Sequence, residues 1–237
     1  MLLKLHSFKH SELLVKTNNF TDMADPTESA GLSNMQKMIQ GIPYNPYDPE
    51  IVAARKRKYR LIREFNASSD EDPPNRSRIL KELLSPESSN KVFIEPNFRC
   101  DYGFNLTFGE NSYMNFDCCI LDCAPVKIGK NFLAGPGVHI YTGTHPTDPI
   151  ERRTHETTKP VTIGDDCWIG GLAVICPGVT LGNGVVVGAG SVVTKSFPDY
   201  VVIAGSPAKI IKQLDKPSDE AINSKPELTA YTQQDAK

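Results

Sequence analysis

The sequence lacks the features that mark a membrane protein, a zinc ribbon or a nucleic-acid-binding protein. None of its apolar runs approaches the ~20 residues that a membrane-spanning helix needs. Its six cysteines include no Cys-x-x-Cys pair of the kind that holds zinc. Neither sign of charge dominates, since 26 Lys and Arg are balanced by 28 Asp and Glu in 237 residues. We therefore expect no membrane partner, no nucleic-acid partner, and free, buried thiols in a reducing cytoplasm.

Two segments in the N-terminal part resemble functional signals but lack their defining features. The basic run 55–63 lies in EIVAARKRKYRLIREFN, where apolar residues recur as on a surface helix and charges occupy several of its sides. This pattern favours a solvated helix face over a nucleic-acid site. Residues 1–20 have no continuous apolar run and no small-residue cleavage site, so we predict no secretion signal and a cytoplasmic location.

Composition divides the chain into four parts. Residues 1–34 and 214–237 are polar with little apolar surface to bury, so we expect flexible tails there. Residues 35–90 contain helical patterns at MQKMIQG, EIVAARKRKYRLIREFN and NRSRILKELL, separated by prolines, and predict a small helical cap. From 91 to 213 the pattern changes to an internal repeat.

The repeat has a period of six residues. One row of aliphatic side chains, four of them followed by Gly, consists of Ile163, Ile169, Ile175, Leu181, Val187 and Val193. A second row, apolar or small throughout, lies two positions earlier at Val161, Cys167, Ala173, Val179, Val185 and Ser191. Three residues of strand followed by a small residue that turns a corner predict a triangular prism of stacked parallel coils. The predicted fold is mainly β, a left-handed parallel β-helix of about five coils between 92 and 205.

The repeat is interrupted at two places. The inward row continues upstream at Phe108, Met114 and Ile120, and then resumes two residues late at Ile128, Ala134 and Ile140, which predicts a bulge or loop. The segment 142–160, TGTHPTDPIERRTHETTKP, does not follow the six-residue rule at all and is predicted to be a loop. Interruptions are where repeat proteins concentrate function. Such prisms serve as acyltransferases, zinc hydratases and assembly scaffolds, so the repeat alone is a weak signal of function.

The order of several motifs resembles the maltose and galactoside O-acetyltransferase family. These motifs are GIPYNPYDPEI, REFNAS, CDYGFN, YMNFDCCILD, the THP loop, CWIGG, PGVTLGNGVVVGAGSVVTKSFP and AGSPAKII. The resemblance covers about 35–213. It implies transfer of an acetyl group from acetyl-CoA to a hydroxyl of a sugar or similar small acceptor, in a homotrimer whose sites lie between neighbouring prisms. Galactoside-specific members have Asp where this chain has Cys123, so the resemblance does not imply a galactoside preference.

The resemblance also implies roles for individual residues. His145 would be the general base, because an imidazole with a reference pKa of about 6.5 can take a hydroxyl proton near neutral pH. Asn115 would line the acyl-transfer site from the facing subunit, and Asp101 and Tyr113 would contact the sugar. Acetyl-CoA would lie in the groove between two prisms, against Trp168, Gly171, Ala189, Thr194 and Lys195, with Lys209 and Lys212 near its phosphates.

A zinc site is the main alternative to this interpretation. His139 and His155 could join His145 as three ligands, as in the hydratases built on the same prism. However, His139 lies between the inward-facing Val138 and Ile140, so strand alternation directs it outwards. Because the motif set also resembles the acetyltransferases, we expect no metal. A zinc-dependent hydratase and a catalytically silent scaffold remain as alternative functions.

Overall fold

The computed structural model describes residues 31–69 and 71–224. The helices are α1 Asn34–Gln40, α2 Pro49–Asn66, α3 Pro73–Leu83 and α4 Asp219–Ser224. A 3-10 turn, Glu151–Arg153, lies between the ninth and tenth strands. The strands are β1 Val92–Ile94, β2 Arg99–Cys100, β3 Leu106–Phe108, β4 Ser112–Met114, β5 Cys119–Leu121, β6 Val126–Ile128, β7 Leu133–Ala134, β8 His139–Tyr141, β9 Gly143–Thr144, β10 Thr157–Thr158, β11 Val161–Ile163, β12 Trp168–Ile169, β13 Val174–Ile175, β14 Thr180–Leu181, β15 Val186–Val187, β16 Val192–Val193, β17 Val201–Gly205 and β18 Ala208–Gln213.

Local capping sets the limits of the first three helices. Ser33 and Gln36 form a reciprocal capping box at the start of α1, and Gly41, with a φ of 77°, ends that helix in the left-handed conformation. Helices α2 and α3 each begin with Pro, directly after Asp48 and Asp72, whose carboxylates accept hydrogen bonds from backbone N–H groups of the first turn.

The helices pack against the first coil of the prism. Four side chains of α2 and α3 are fully buried in the same core as the prism interior: Leu61, Phe65, Ile79 and Leu83. Each such side chain contributes about 1.5–3 kcal/mol by leaving water. Arg76 links the two parts, because its guanidinium lies 4.6 Å from the Phe65 ring centroid and donates to the Ile94 carbonyl at 2.9 Å.

The prism is a β-helix of stacked parallel coils with three faces. Face 1 consists of β1, β4, β7, β12, β15 and β17 in parallel order, closed by the antiparallel β18. Face 2 consists of β2, β5, β8, β13 and β16, and face 3 of β3, β6, β11 and β14. The five strands of face 2 match the five coils expected from the repeat. The mainly β fold of stacked parallel coils, predicted from the six-residue period, is confirmed. The N-terminal helical segment, predicted from the helical patterns in 35–90, is confirmed as well.

Burial follows the two predicted rows. Every residue of both rows from 161 to 193 is buried, including the polar Ser191, whose side chain is 1% exposed. The upstream row at 108–140 is buried as well. Outward residues between these rows are half-buried or exposed, so the alternation read from the sequence corresponds to the inside and outside of the prism.

Faces 1 and 3 differ in what they expose. The aligned outward row of face 3 is polar and consists of Thr107, Lys127, Thr162 and Thr180. The corresponding row of face 1 is apolar across six coil strands and consists of Phe93, Tyr113, Leu133, Trp168, Val186 and Val202. Trp168 in the middle of this row is 56% exposed. One face is therefore suited to water and another to a covering surface.

The structure differs from the sequence prediction at one residue of the basic run 55–63. Lys58 does not belong to a solvated helix face: it is buried, and its ammonium lies 3.9 Å from the Tyr59 ring centroid.

Most of the predicted tails, 1–34 and 214–237, falls outside the described residues. Helix α1 begins at Asn34, and α4 lies within the C-terminal one of these two segments. In the described part of the chain, every helix is too short or too polar to cross a membrane.

Candidate active site

The lengthened coil steps of the prism fall at one corner, between face 2 and face 3, which we call corner 2–3. Along the inward row from Ile94 to Val193, every step across the other two corners is six residues long. At corner 2–3 the first step, from Cys100 to Phe108, is eight residues long, and the step from β5 to β6 is eight again. The third is twenty-three residues long, because the loop 142–160 is inserted between β8 and β11. Three successive coils are therefore lengthened at the same corner.

A buried carboxylate ties the first two lengthened turns together. Asp122 is fully buried, and its oxygens accept hydrogen bonds from the backbone N–H groups of Asp101, Tyr102 and Gly103 at 2.9, 2.8 and 2.7 Å. Burial raises the pKa of Asp122 to about 7, although the three N–H donors oppose the shift. Asp122 therefore fixes the backbone that carries Asp101, one of the predicted sugar contacts.

A second group of side chains lies beside this anchor. The Cys123 thiol is 3.4 Å from the Asp101 carboxylate, and Tyr44 and Tyr102 belong to the same buried cluster, against which Cys123 packs. Burial, followed by the charge of Asp101, raises the pKa of the Cys123 thiol well above its ordinary value. Cys123 is thus a protonated, weakly polar group and not a thiolate nucleophile.

The loop 142–160 carries the predicted base on a small strand pair. Strands β9 and β10 are antiparallel, with Thr144 opposite Thr157, and His145 is the exposed residue directly after β9. Continuing this register by one residue places Glu156 opposite His145. Among the side chains that the structure describes, none forms an ion pair with His145.

The helical cap holds this strand pair from the other side. Tyr44 and Glu156 exchange backbone hydrogen bonds of 3.2 and 3.3 Å, and the Tyr44 hydroxyl donates to the Glu156 carboxylate at 2.8 Å. The Thr158 hydroxyl donates to the Met38 carbonyl at 2.6 Å. These side-chain contacts join residues 112 and 120 positions apart in the chain. The capping segment is therefore fixed to the strand pair that precedes His145.

The structure places the predicted site residues in two groups, on either side of face 2. Asp101 and His145 lie at corner 2–3, with the exposed Thr194 and Lys195 at the same edge further along the prism. The others lie on face 1 or at the corner between faces 1 and 2: Tyr113, Asn115, Trp168, Gly171, Ala189, Lys209 and Lys212. A single chain thus does not bring Asn115 to His145, because face 2 separates them.

Two cavities in the described part of the chain lie away from these residues. One, of about 500 Å³, lies between α3 and the segment 84–92. The other, of about 280 Å³, lies on face 2 and is lined by Asn97, Arg99, Asp117, Cys119 and His139. Neither is lined by His145, Asp101 or Asn115.

The three histidines considered as zinc ligands do not form a cluster. His139 faces outwards on β8, as strand alternation predicts, and contacts Tyr141 through its ring and Nδ1. The ring of His155 contacts Thr154 and lies 3.7 Å from the Glu151 carboxylate. Within residues 31–69 and 71–224, no three His, Cys, Asp or Glu side chains are grouped to hold a metal ion.

Comparison with known proteins agrees with this architecture. Residues 37–86 match the maltose acetyltransferase hexapeptide capping motif, and residues 160–195 match the bacterial transferase hexapeptide family of six repeats. Galactoside O-acetyltransferase of Escherichia coli K12 is 39% identical over 162 residues, which cover 68% of this chain and 79% of the relative. The chain belongs to the hexapeptide-repeat acetyltransferases.

Solved structures of this acetyltransferase family have the same fold. A maltose O-acetyltransferase from Clostridium difficile 630 matches with a TM-score of 0.76 and 40% identity, over 78% of this chain and 99% of that one. A hexapeptide-repeat acetyltransferase from Vibrio cholerae, complexed with acetyl coenzyme A, matches with a TM-score of 0.72 and 35% identity, over 78% of this chain and all of that one. The resemblance read from the sequence motifs is confirmed.

Three residues at or near corner 2–3 were given no role by the sequence analysis. Asp122 lies in the two-residue shift of the repeat, which predicted a bulge but not a buried carboxylate. Tyr44 lies in the motif GIPYNPYDPEI, and Glu156 follows His155 in the loop. Their positions depend on pairing between distant segments, for which the six-residue period gives no signal.

Proposed function

We propose that the protein transfers an acetyl group from acetyl-CoA to a hydroxyl of a sugar or similar small acceptor, with His145 as the general base. The observation that carries this proposal is the position of His145, exposed on a strand pair that is fixed both to corner 2–3 and to the capping segment. The backbone next to the imidazole is fixed in this way, so the base is attached to an ordered segment while an acceptor and a thioester approach it.

The proposed reaction is a direct transfer. His145 accepts the proton of the acceptor hydroxyl while the hydroxyl oxygen attacks the thioester carbonyl carbon. The tetrahedral intermediate then expels the CoA thiolate, which receives that proton from the imidazolium. Asn115 of a neighbouring chain would donate from its carboxamide to the oxyanion, and Asp101 and Tyr113 would bind the acceptor hydroxyls.

The state of the cysteines supports a route without an acyl-cysteine intermediate. Burial raises the pKa of each of the six thiols, to about 11 for Cys118 and Cys167. A thiol with so high a pKa is protonated near neutral pH and is a poor nucleophile.

The distribution of the site residues supports a homotrimer with sites between chains. Asn115 and His145 lie on different corners of one prism, so they meet only if two prisms lie side by side. The apolar outward row of face 1 provides a surface for that contact, whereas the polar row of face 3 suits water. Three prisms can close such a contact into a ring. A stable monomer in light scattering would contradict this arrangement.

The groove between two neighbouring prisms would bind acetyl-CoA. The exposed Trp168 offers an aromatic surface. Gly171 has no side chain and Ala189 has only a methyl group, so both let the pantetheine arm approach the backbone. Four further residues are exposed toward the C-terminal end of the prism: Thr194, Lys195, Lys209 and Lys212. The lysines among them can offset the charge of the CoA phosphates. The acetyl-CoA complex of the Vibrio cholerae relative supports this co-substrate.

His145→Ala tests the proposal. Thiol release from acetyl-CoA is measured against a panel of sugars, first with the unaltered protein to find an acceptor. Loss of the base should lower kcat by about 10²- to 10⁴-fold while the KM for acetyl-CoA changes little. His155→Ala is the control, because it removes a histidine of the same loop whose ring contacts Thr154. A His145→Ala rate within about threefold of the unaltered rate, with chemistry rate-limiting, would remove His145 from this role.

A further inference from the structure

The thiol of Cys123 contacts three separate segments around corner 2–3. Its Sγ is 3.4 Å from Oδ2 of Asp101, which lies in the preceding coil. A Cβ placed on Gly143, in β9, would lie 3.6 Å from the same sulfur, so the thiol packs against the backbone of that strand. On the side of the helical cap, Cys123 packs against the buried cluster that includes Tyr44 and Tyr102. These contacts give the sulfur a fixed position beside the Asp101 carboxylate.

The thiol acts as a hydrogen-bond donor toward this carboxylate. Burial raises the pKa of the Cys123 thiol, and the charge of Asp101 raises that pKa further. The sulfur is therefore protonated near neutral pH, whereas an ionised carboxylate can only accept hydrogen bonds. An S–H group is a weak donor, but a hydrogen bond to an ionised oxygen is stronger than one to a neutral oxygen. The contact is thus a hydrogen bond from Cys123 to Asp101.

Two consecutive residues hold Asp101 at both its ends. Asp122 accepts from the backbone N–H of Asp101 at 2.9 Å, and Cys123 donates to the carboxylate of the same residue. The first bond fixes the point from which the side chain begins, and the second selects its rotamer. Asp101 is half-buried, and the described residues provide no hydrogen-bond donor to its Oδ1. This oxygen can accept from a bound molecule.

We propose that Cys123 is a positioning residue whose thiol holds Oδ2 of Asp101, so that Oδ1 is presented to a hydroxyl of the acceptor. This inference rests on the proposed function, in which Asp101 binds the acceptor. The thiol stays protonated and undergoes no chemical change in the reaction. Its effect is on how well the acceptor binds, and the acetyl-transfer chemistry is left to other groups.

A neutral side chain at position 123 also avoids a second charge beside Asp101. Galactoside-specific members of the family have Asp where this chain has Cys123. In this chain, a carboxylate at position 123 would face the Asp101 carboxylate at about the distance of the present contact. Two like charges about 4 Å apart repel each other strongly in a partly buried site. The thiol orients the Asp101 carboxylate without this repulsion.

Cys123→Ala tests the proposal by removing the donor. Glucose, galactose, maltose and N-acetylglucosamine are screened with the unaltered protein, and the best acceptor among them is used. The KM for that sugar should rise by about two- to tenfold, as expected for one ordinary hydrogen bond, while the KM for acetyl-CoA stays unchanged. Cys123→Ser keeps a donor and should restore the sugar KM to within about twofold. Cys176→Ala is the control, because it removes another half-buried thiol and should leave the sugar KM unaltered.

Two results of these measurements would overturn the role of Cys123. One is a sugar KM that does not change in the folded Cys123→Ala variant. The other is a Cys123→Ser variant with the same rise in sugar KM as the alanine variant, because a hydroxyl can donate to the carboxylate in place of the thiol.

Cys123→Asp adds a pH dependence that loss of packing alone would not produce. While both carboxylates are ionised, their repulsion should turn Asp101 away and raise the sugar KM more than Cys123→Ala does. Protonation of either carboxyl removes the repulsion, so the ratio of the variant KM to the unaltered KM should fall toward one below about pH 5. A ratio that stays constant with pH would contradict the contact between the two side chains. This variant also serves if Cys123→Ala does not fold.

A double-mutant cycle separates this inference from the proposed function. If Cys123 acts through Asp101, then Cys123→Ala has no further effect on the sugar KM in an Asp101→Ala background. An equal rise in both backgrounds would overturn the role of Cys123 and leave the proposed function standing. An Asp101→Ala enzyme with an unaltered sugar KM would remove Asp101 from the acceptor site and, with it, this inference.

Discussion

Replacing Asp122 by Asn tests how burial and hydrogen bonding balance at corner 2–3. Asp122 is fully buried and accepts three backbone hydrogen bonds, so the two effects act on its pKa in opposite directions. Burial prevails and raises this pKa from 3.8 to about 7. Asparagine has nearly the same size and cannot ionise, so it removes the titration without leaving a cavity.

The sign and size of the effect follow from proton linkage. Because the folded chain binds the Asp122 proton more tightly than the unfolded chain, the resulting stabilisation is complete below about pH 3.8. It is lost as pH rises through about 7. One pKa unit corresponds to about 1.4 kcal/mol, so the loss is roughly 4 kcal/mol. The free energy of unfolding of the unaltered protein, minus that of Asp122→Asn, should fall by this amount from about pH 4 to about pH 8.

Urea unfolding of both proteins at several pH values measures this difference. Protein concentration must be the same throughout, because assembly into oligomers shifts apparent stability. Taking the difference between the two proteins cancels the other titrating groups that they share. A difference that stays constant with pH would show that the three N–H donors offset burial. A difference that rises with pH would show that they exceed it, and either result would refute our reasoning.

Three other substitutions test further features of the structure. In urea unfolding, Gly190→Ala should destabilise the protein by ~1 kcal/mol, because Gly190 has a positive φ but open space around it. Gly103→Ala should destabilise it by more, because Gly103 also has a positive φ and its new Cβ would lie 2.5 Å from the Leu83 carbonyl oxygen. Cys123→Ser should keep kcat within about threefold, since the thiol is not a nucleophile; a hundredfold loss with the fold intact would contradict this. Trp168→Ala should raise the KM for acetyl-CoA more than it lowers kcat, and unchanged kinetics would exclude the indole from the groove.

The sequence predicts the prism well because its physical requirement is periodic. Each coil must bury two rows of small or aliphatic side chains, and this requirement repeats every six residues. The loop 142–160 could be located for the same reason, as the place where the requirement ends. The burial of Lys58 could not be predicted in this way, because its long side chain packs on a neighbouring aromatic ring that gives no periodic signal.

The surroundings of His145 depend on contacts that periodicity does not encode. The pairing of Tyr44 with Glu156 joins segments 112 residues apart, and it depends on how a two-residue strand in an irregular loop aligns with the cap. Asp122 presents a similar problem. A buried carboxylate is costly without partners, and the three N–H donors to Asp122 come from the preceding coil. The row read from the sequence begins at Phe108, so it does not reveal that the step from Cys100 to Phe108 is lengthened as well.

The location of the lengthened turns explains why one corner can hold a site. Coils of equal length stack with no segment that protrudes from the prism, so a regular prism has only flat faces and narrow edges. Extra residues at one corner of three successive coils build an outward ledge there, which Asp122 fixes from within and the cap encloses through Tyr44 and Thr158. In the proposed assembly a neighbouring chain supplies the opposite wall, because Asn115 and Trp168 of the same chain lie beyond face 2. We therefore expect changes in acceptor preference to map to the turns of corner 2–3, and changes in acetyl-CoA binding to face 1.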